Sequence, residues 1–304
     1  MKTPKEDFER INRVIRFIDK NLLNDLSLDN LAEVANYSPF HFQRIFKSIK
    51  GETPKQYIKR LRLEKAAHLI VLFPEKTILE VAFEVGFKSL EVFSRAFKDY
   101  YQTSPDNFRK KGEEEKIKII QHPHFSFKFL ESSESFLPTF ISPEEFEHLN
   151  IKVINRPSQK LVYYQSTIEN PDQIMESFGK IKQWATNRTP TSTDRELIGI
   201  LKDYPIFTPL DKCRYYVCAS VNEPTAVSGL VNYLEVPQGK YAEFQVTGGI
   251  SEIMKACAYF VHYWLPESGY NITHEYLLQV PLHDPCQTLF ADNTYRIFIN
   301  ISAV

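Results

Sequence analysis

The sequence predicts two domains: an all-α first half built as a double helix-turn-helix, and an α+β second half built on a duplicated strand–helix–strand–strand unit. Three observations predict this. Residues 28–108 carry one detailed pattern twice. Residues 151–304 carry a second, looser duplication. The charge also divides: residues 1–112 hold 21 Lys+Arg against 15 Asp+Glu, a net +6, and the remainder 16 against 23, a net −7. A basic half joined to an acidic half suits a part that meets phosphates beside a part that does not. The expected boundaries are 1–112 for the first domain, 113–150 for a connector and 151–304 for the second domain.

The first copy of the early pattern reads Leu31-Ala32-x-x-Ala35, Ser38-x-x-x-Phe42-x-Arg44-x-Phe46-Lys47 and Thr53-Pro54-x-x-Tyr57. The second reads Val81-Ala82-x-x-Val85-Gly86-Phe87, Ser89-x-x-x-Phe93-x-Arg95-x-Phe97-Lys98 and Ser104-Pro105-x-x-Phe108. The offset is 50 residues from Ala32 to Ala82 and 51 from Phe42 to Phe93, so the second turn holds one extra residue. An internal repeat of this detail sets the architecture before any propensity does. Phe8, Ile11, Ile15, Ile18 and Leu22 mark a first helix with one apolar stripe. Leu28, Leu31, Ala32 and Ala35 mark the next at helical spacing. Ser38 can cap the following helix and Pro39 suits its first position. On that helix Phe42, Ile45, Phe46 and Ile49 face inward, while Phe40, Gln43, Arg44 and Lys47 face outward. In the second copy Phe93, Ala96, Phe97 and Tyr100 face inward, and Leu90, Glu91, Ser94, Arg95 and Lys98 outward. Gly86 stands where the chain needs a left-handed residue to turn sharply. Thr53-Pro54 starts a long helix that ends at Phe73-Pro74, with Tyr57, Leu61, Ala66 and Leu69 inward. Lys55, Lys59, Arg60, Arg62 and Lys65 are expected on its exposed face, where some could meet phosphate.

Residues 8–110 resemble the AraC/XylS class of bacterial transcription regulators. The run Val85-Gly86-Phe87-x-Ser89-x-x-x-Phe93-Ser94-Arg95-x-Phe97-Lys98 carries the resemblance most specifically. It implies two helix-turn-helix units joined by one long helix, with both second helices entering successive major grooves of double-stranded DNA. It also implies RNA polymerase as a partner. One departure is visible: the class usually has Gly where Gln102 stands. On the outward faces Arg44 and Arg95 suit the paired acceptors of guanine, and Gln43 suits adenine. Glu91 can only accept and fits a cytosine amino group, while Phe40 and Leu90 can touch thymine methyls. Lys47, Ser94 and Lys98 complete the candidate DNA surface.

Gly112 to Lys118 reads as a charged exit from the first domain. Phe125, Phe127 and Phe129 alternate like a short strand within the connector. From Ile151 the pattern becomes strand and helix. Lys160 to Thr167 and Gly239 to Val246 read as strands. Ile174, Phe178, Ile181 and Trp184 form one helical stripe, and Ile253, Ala256, Phe260 and Trp264 another. A pair of strands follows each helix: 197–201 with Arg214 to Val221, and 275–279 with Tyr295 to Ile301. Two such units join as an α+β domain with a pseudo-two-fold axis and a groove between the halves.

This half resembles the GyrI-like effector-binding domain. The residues carrying it are Gly239-Lys240-Tyr241-Ala242-Glu243-Phe244, Trp264 to Tyr270, and Glu275 six residues before Pro281. Gly199, Pro205, Thr208-Pro209 and Lys212-Cys213-Arg214-Tyr215 also fit. The resemblance implies a pocket between the repeats, walled by aromatics, in which a glutamate faces a small-molecule effector. By position that glutamate is Glu275, and Tyr163, Tyr204, Tyr241, Trp264 and Tyr276 are the candidate wall. A carboxylate among aromatic faces favours a cationic or aromatic ligand.

Cys213, Cys218, Cys257 and Cys286 form no CxxC pair and read as reduced packing residues. No Cys/His cluster has zinc spacing, and His122 and His124 read as a loop pair, so neither metal nor cofactor is expected. No stretch approaches a membrane span and no signal peptide opens the chain, which leads to a cytoplasmic expectation. No catalytic residue is assigned, because no Ser-His-Asp or Cys-His set is present. A ligand-responsive regulator is therefore the expected function. The alternatives are a small-molecule sequestering protein, which leaves the double motif unexplained, and a hydrolase using the pocket glutamate as a base.

Overall fold

The computed structural model describes residues 4–110, 146, 149–188, 195–205, 207–223, 227 and 230–303. The chain divides into two compact units, one holding the helices up to Lys110 and one the strands and helices from Lys152. The expected connector lies outside the described residues except for Phe146, Leu149 and Asn150. The alternation at 125–129 and the pair His122 and His124 fall outside them too.

The first unit is α1 (Pro4–Asn21), α2 (Leu28–Ala35), α3 (Pro39–Lys50), α4 (Pro54–Leu72), α5 (Ile78–Glu84), α6 (Leu90–Tyr101) and α7 (Pro105–Lys110). Local chemistry starts most of these helices. Thr53 and Thr77 close capping boxes with Gln56 and Glu80. Ser27 and Ser89 accept from the backbone N–H groups of Asn30 and Val92. Ser38 stands at its cap position in extended conformation but makes no side-chain cap bond, contrary to the sequence expectation.

Left-handed residues end the helices. Asn36 (φ 54°) closes α2, Gly51 (φ 74°) closes α3 and Gln102 (φ 55°) closes α6. Gln102 therefore keeps the bend that glycine would give, at a cost of about 1 kcal/mol for a non-glycine residue there. Its own side chain answers part of that cost by donating to the Asp99 carbonyl at 2.8 Å.

The predicted inward faces are largely buried. Phe42, Phe46, Phe93 and Phe97 are all 0% exposed, and Phe46 meets Tyr57 edge-on at 5.4 Å. Three assignments need correction. Phe8 and Leu28 stand on helix margins and are exposed, Val14 replacing Phe8 in the core. Tyr101 rather than Tyr100 fills the end of α6, packing on Phe97 and Phe108. Tyr100 is only half-buried, and its hydroxyl donates to Glu64 on α4.

α4 departs furthest from the expected amphipathic helix. Ile58, Leu63, Ala67 and Ile70 are buried along with the predicted stripe, because other helices cover it on most sides. Arg60 and Glu64 are drawn into this interior, 6% and 5% exposed.

Among the described residues, the second unit is an eight-stranded antiparallel sheet with helices after its second and sixth strands. The strands are β1 (Lys152–Arg156), β2 (Gln159–Thr167), β3 (Leu197–Leu201), β4 (Arg214–Ser220), β5 (Asn232–Val236), β6 (Gly239–Thr247), β7 (Tyr270–Pro281) and β8 (Thr294–Ala303). α8 (Pro171–Arg188) follows β2. α9 (Ile250–Tyr259) follows β6 and continues through a π-turn (Phe260–Trp264) into α10 (Leu265–Ser268). The sheet order is β1-β6-β8-β7-β3-β4-β2-β5. Exchanging β1 with β5, β2 with β6, β3 with β7 and β4 with β8 returns the same order reversed. The pseudo-two-fold axis therefore passes between β3 and β7, where Gly199 pairs with Gln279.

The repeat is strand–strand–helix–strand–strand rather than the expected strand–helix–strand–strand. β1 and β5 were missed because each is a five-residue edge strand that is only partly buried and lacks the apolar run that marks β3. Each joins the opposite half: β1 pairs with β6 and β5 with β2. Isolated units therefore leave those two edges incomplete.

Among the described residues, no helix is long and apolar enough to cross a membrane, and no group of His, Cys, Asp and Glu could hold a metal ion. Cys213 and Cys218 are buried as expected of packing residues, Cys257 is half-buried and Cys286 is exposed.

Candidate nucleic-acid interface and effector domain

α3 and α6 each turn a phenylalanine pair inward and a polar row outward. On α3, Phe40 is 82% exposed, and Gln43, Arg44 and Lys47 are exposed with it. On α6, Leu90, Glu91, Arg95 and Lys98 are exposed and Ser94 is half-buried. All nine candidate positions thus lie off the core. Val92, 55% exposed on the first turn of α6, joins them and was missed, because an isolated valine gives no sequence signal.

Arg95 is engaged within its own helix, donating to Glu91 at 2.6 Å. Both ends are largely exposed, so the pair is worth about 0–1 kcal/mol and gives way easily to a stronger acceptor. Arg44 lies 3.3 Å from Nδ1 of His41. Within the helical unit, a groove between the two helix-turn-helix motifs is lined by Gln43, Lys55, Lys59, Arg62, Lys88 and Arg95 among others.

The α4 cations divide by role. Lys55 and Lys59 are exposed and face that groove. Arg60 does not face solvent: it binds Glu52 at 2.7 Å and Glu64 at 3.1 Å. Burial lowers its pKa, but the two carboxylates outweigh it and hold the group well above its ordinary value. Arg62 is half-buried and donates to three backbone carbonyls, those of Leu22, Asn24 and Gly86. Burial lowers its pKa, with Asp25 acting the other way. Of the five cations expected on the exposed face of α4, Arg60 and Arg62 are instead held by partners within the fold.

In the second unit α8 packs on β2 and β4, and α9 packs on β6. The candidate aromatics fall on two sides of the sheet. Tyr163 and Tyr241 are buried in a cluster with Tyr216, Leu278 and Phe298. Tyr163 stacks on Tyr216 at 4.3 Å, and the Tyr241 hydroxyl donates to the Pro237 carbonyl. Trp264 belongs to the helix side. It stacks on Phe260 at 5.2 Å, which in turn stacks on Phe244, whose strand position has the opposite parity to Tyr241. Tyr204 is half-buried in the turn after β3.

Glu275 and Tyr276 lie on β7 within the irregular stretch between Ile272 and Leu277, where the pairing with β8 slips. Their side chains are outside the described residues. Gln279 was not anticipated. It is 0% exposed at the pseudo-two-fold axis, and its Oε1 accepts from the Tyr215 hydroxyl at 2.9 Å. Its Nε2 has no hydrogen-bond partner among the described residues. No periodicity could have marked it, because only the β3–β7 pairing puts it at the axis.

A helix-turn-helix domain family matches residues 31–111, and the GyrI-like small molecule binding domain family matches residues 149–302. The transposon Tn10 TetD protein of Escherichia coli is 40% identical over 100 residues, covering 33% of this chain and 72% of the relative. The chain belongs to the AraC/XylS class of helix-turn-helix regulators and carries a GyrI-like domain.

Other regulators of the class match the same share of the chain. PqrA of Proteus vulgaris, a probable transcription factor, is 34% identical over 104 residues, covering 34% of this chain and 84% of the relative. The transcriptional regulator Rob of Salmonella typhimurium is 36% identical over 103 residues, covering 34% of this chain and 35% of Rob. The chain thus spans about a third of Rob's length. Among solved structures, the C-terminal domain of AraT from Geobacillus stearothermophilus matches at 33% identity with a TM-score of 0.32, over 33% of this chain and 84% of that domain. The EcmrR C-terminal domain matches at 13% identity with a TM-score of 0.43, over 51% of this chain and 99% of that domain.

Proposed function

We propose that this AraC/XylS-class chain is a ligand-responsive transcription regulator. It reads DNA with α3 and α6 in successive major grooves and binds a small aromatic or cationic effector in its GyrI-like domain. The observation that carries the reading is the duplicated face: two helices with 0%-exposed phenylalanines beneath and exposed Gln43, Arg44, Glu91 and Arg95 above. Phosphate contacts by Lys55 and Lys59 supply salt-dependent affinity, and the outward side chains of α3 and α6 supply sequence choice.

Selection of bound duplexes from a random pool tests this. The expected product has two preferred blocks about one helical turn apart. Arg44→Ala and Arg95→Ala are each expected to cost about 1–3 kcal/mol and to relax different blocks. No preference over random DNA, or relaxation of the same base pair by both variants, would sink the two-groove reading.

One feature supports the effector assignment: the β7 irregularity around Glu275 is of the kind found beside binding sites. Glu275→Gln keeps the shape and removes the charge. It is expected to weaken binding of lipophilic cations by about 2–5 kcal/mol while leaving DNA binding by the free protein intact. Titration of matched cationic and neutral aromatics against both proteins checks this. Unchanged cation affinity in a folded variant removes Glu275 from the site.

The effector acts by favouring one of two states, and is expected to change DNA affinity or polymerase contact by about 1–3 kcal/mol. Chemical turnover of the same ligands would favour the hydrolase reading instead.

A further inference from the structure

Arg62 stands on α4, the helix that joins the two helix-turn-helix units. Its Nε donates to the Leu22 carbonyl at 2.9 Å and its Nη2 to the Asn24 carbonyl at 2.7 Å. Both acceptors lie in the turn between α1 and α2 of the first unit. Its Nη1 donates to the Gly86 carbonyl at 2.9 Å, in the turn between α5 and α6 of the second helix-turn-helix motif. One planar group thus ties the two turns together.

The fit is close on both sides. A Cβ added at Gly86 would stand 3.0 Å from Cζ of Arg62 and 3.1 Å from the Leu23 carbonyl oxygen. Gly86 also has a φ of +83°, which disfavours any other residue. The remaining link on this seam, Lys88 to Asp25, is 86% and 78% exposed at its two ends, so it adds little. Three carbonyls need a rigid fork of N–H donors, which arginine has and the single ammonium of lysine lacks.

We propose that Arg62 is a positioning residue that fixes the separation and rotation of α3 and α6, and so sets the spacing between the two base-reading blocks that the protein accepts. The proposal rests on the two-groove reading above. Arg62 lines the groove between the two helix-turn-helix motifs, so a bare phosphate contact is its rival role. The two roles differ in what they do to spacing. A lost phosphate contact weakens every duplex alike. A lost clamp lets the two units shift, so the protein becomes tolerant of a misplaced second block.

The test uses full-length protein and 40-bp duplexes carrying the site recovered by selection, with one base pair inserted or removed between the blocks. One inserted pair turns the second block by about 34°, given roughly 10.5 base pairs per turn. The wild-type chain is expected to lose about tenfold in affinity on insertion, the size of one misplaced base contact, and Arg62→Ala and Arg62→Lys about threefold or less. Base preference within each block should stay as it was. The same loss on insertion in the variants as in the wild type overturns the proposal, as does a drop of equal size on all duplexes. If both variants are unfolded by far-ultraviolet dichroism at 25 °C, Arg62 is a folding residue and the proposal is also overturned. If the wild-type chain itself binds parent and inserted duplexes equally, it is the two-groove reading that has failed.

Discussion

Arg60→Ala is expected to destabilise the helical unit by about 3–5 kcal/mol, the cost of removing one member of a buried charge network. Arg60 is 7% exposed at its side chain, and its two carboxylate partners, Glu52 and Glu64, are 12% and 5% exposed. Removing the guanidinium takes from both largely buried acids the charge-assisted hydrogen bonds that Arg60 gives them. Glu64 also accepts from the Tyr100 hydroxyl, so the acid that Arg60 holds is the one that links α4 to α6. Lys59→Ala, one residue away and exposed, is expected to change stability by less than about 0.5 kcal/mol. Both tryptophans, Trp184 and Trp264, lie in the second unit, so their fluorescence is blind to this change. Denaturation followed by far-ultraviolet dichroism and by tryptophan fluorescence separates the units. An Arg60→Ala transition within 0.5 kcal/mol of wild type, with weakened DNA binding, would return Arg60 to the phosphate surface.

Asp203→Ala is expected to cost about 3–5 kcal/mol in the second unit, for the same reason in a different setting. The Asp203 carboxylate accepts from Nε and Nη2 of Arg214, each at 2.6 Å, and from the Arg214 backbone N–H at 2.9 Å. The pair closes the loop between β3 and β4 with side chains 6% and 9% exposed. The equivalent loop between β7 and β8 is closed by neutral groups, Asn293 exchanging two bonds with the His283 backbone. The charged version makes the first loop sensitive to acid. Burial alone would raise the Asp203 pKa, but the charge and hydrogen bonds of Arg214 hold it below the usual carboxylate value. A depressed folded pKa means that the contribution is fully present above the unfolded value. It is lost as pH falls below about 4 toward the folded one. Tryptophan-detected melting should therefore fall on acidification in the wild-type chain and fall less in Asp203→Asn. Equal acid sensitivity in the two would show that other carboxylates govern it.

The helical half was the more legible. Its elements are short-range constructions: capping residues, a helical stripe and a left-handed stop, all within a dozen residues. Thr53 caps where the pattern starts, although Ser38 makes no cap bond, and Phe42, Phe46, Phe93 and Phe97 bury where the period says. The errors came where a neighbour overrode the period. α4 reads as amphipathic with a basic outer face, yet helices cover it on most sides, and Arg60 finds Glu52 and Glu64 inside. In the sheet, the longer strands and the apolar run Leu197–Leu201 gave a signal. β1 and β5 are short edge strands that pair with the opposite repeat, so nothing near them in sequence announces them. The aromatic wall drawn from Tyr163, Tyr241 and Trp264 splits between the two faces, because a residue's parity follows from a register that distant strands set.

The sequence by itself determined the class of both halves, the two outward rows on α3 and α6, and the split of charge between a basic and an acidic part. Those properties depend on residue type and local spacing, which the chain states directly. Tertiary structure alone decided which cations reach solvent, where the axis of the sheet falls and which residues meet there. Lys59, Arg60 and Arg62 are all cations on one helix, and their surroundings send only Lys59 to solvent. Gly199 and Gln279 face each other only because two strands 80 residues apart pair antiparallel. Hydrogen bonds and burial between distant segments carry no local pattern, and those are the interactions that assigned these roles.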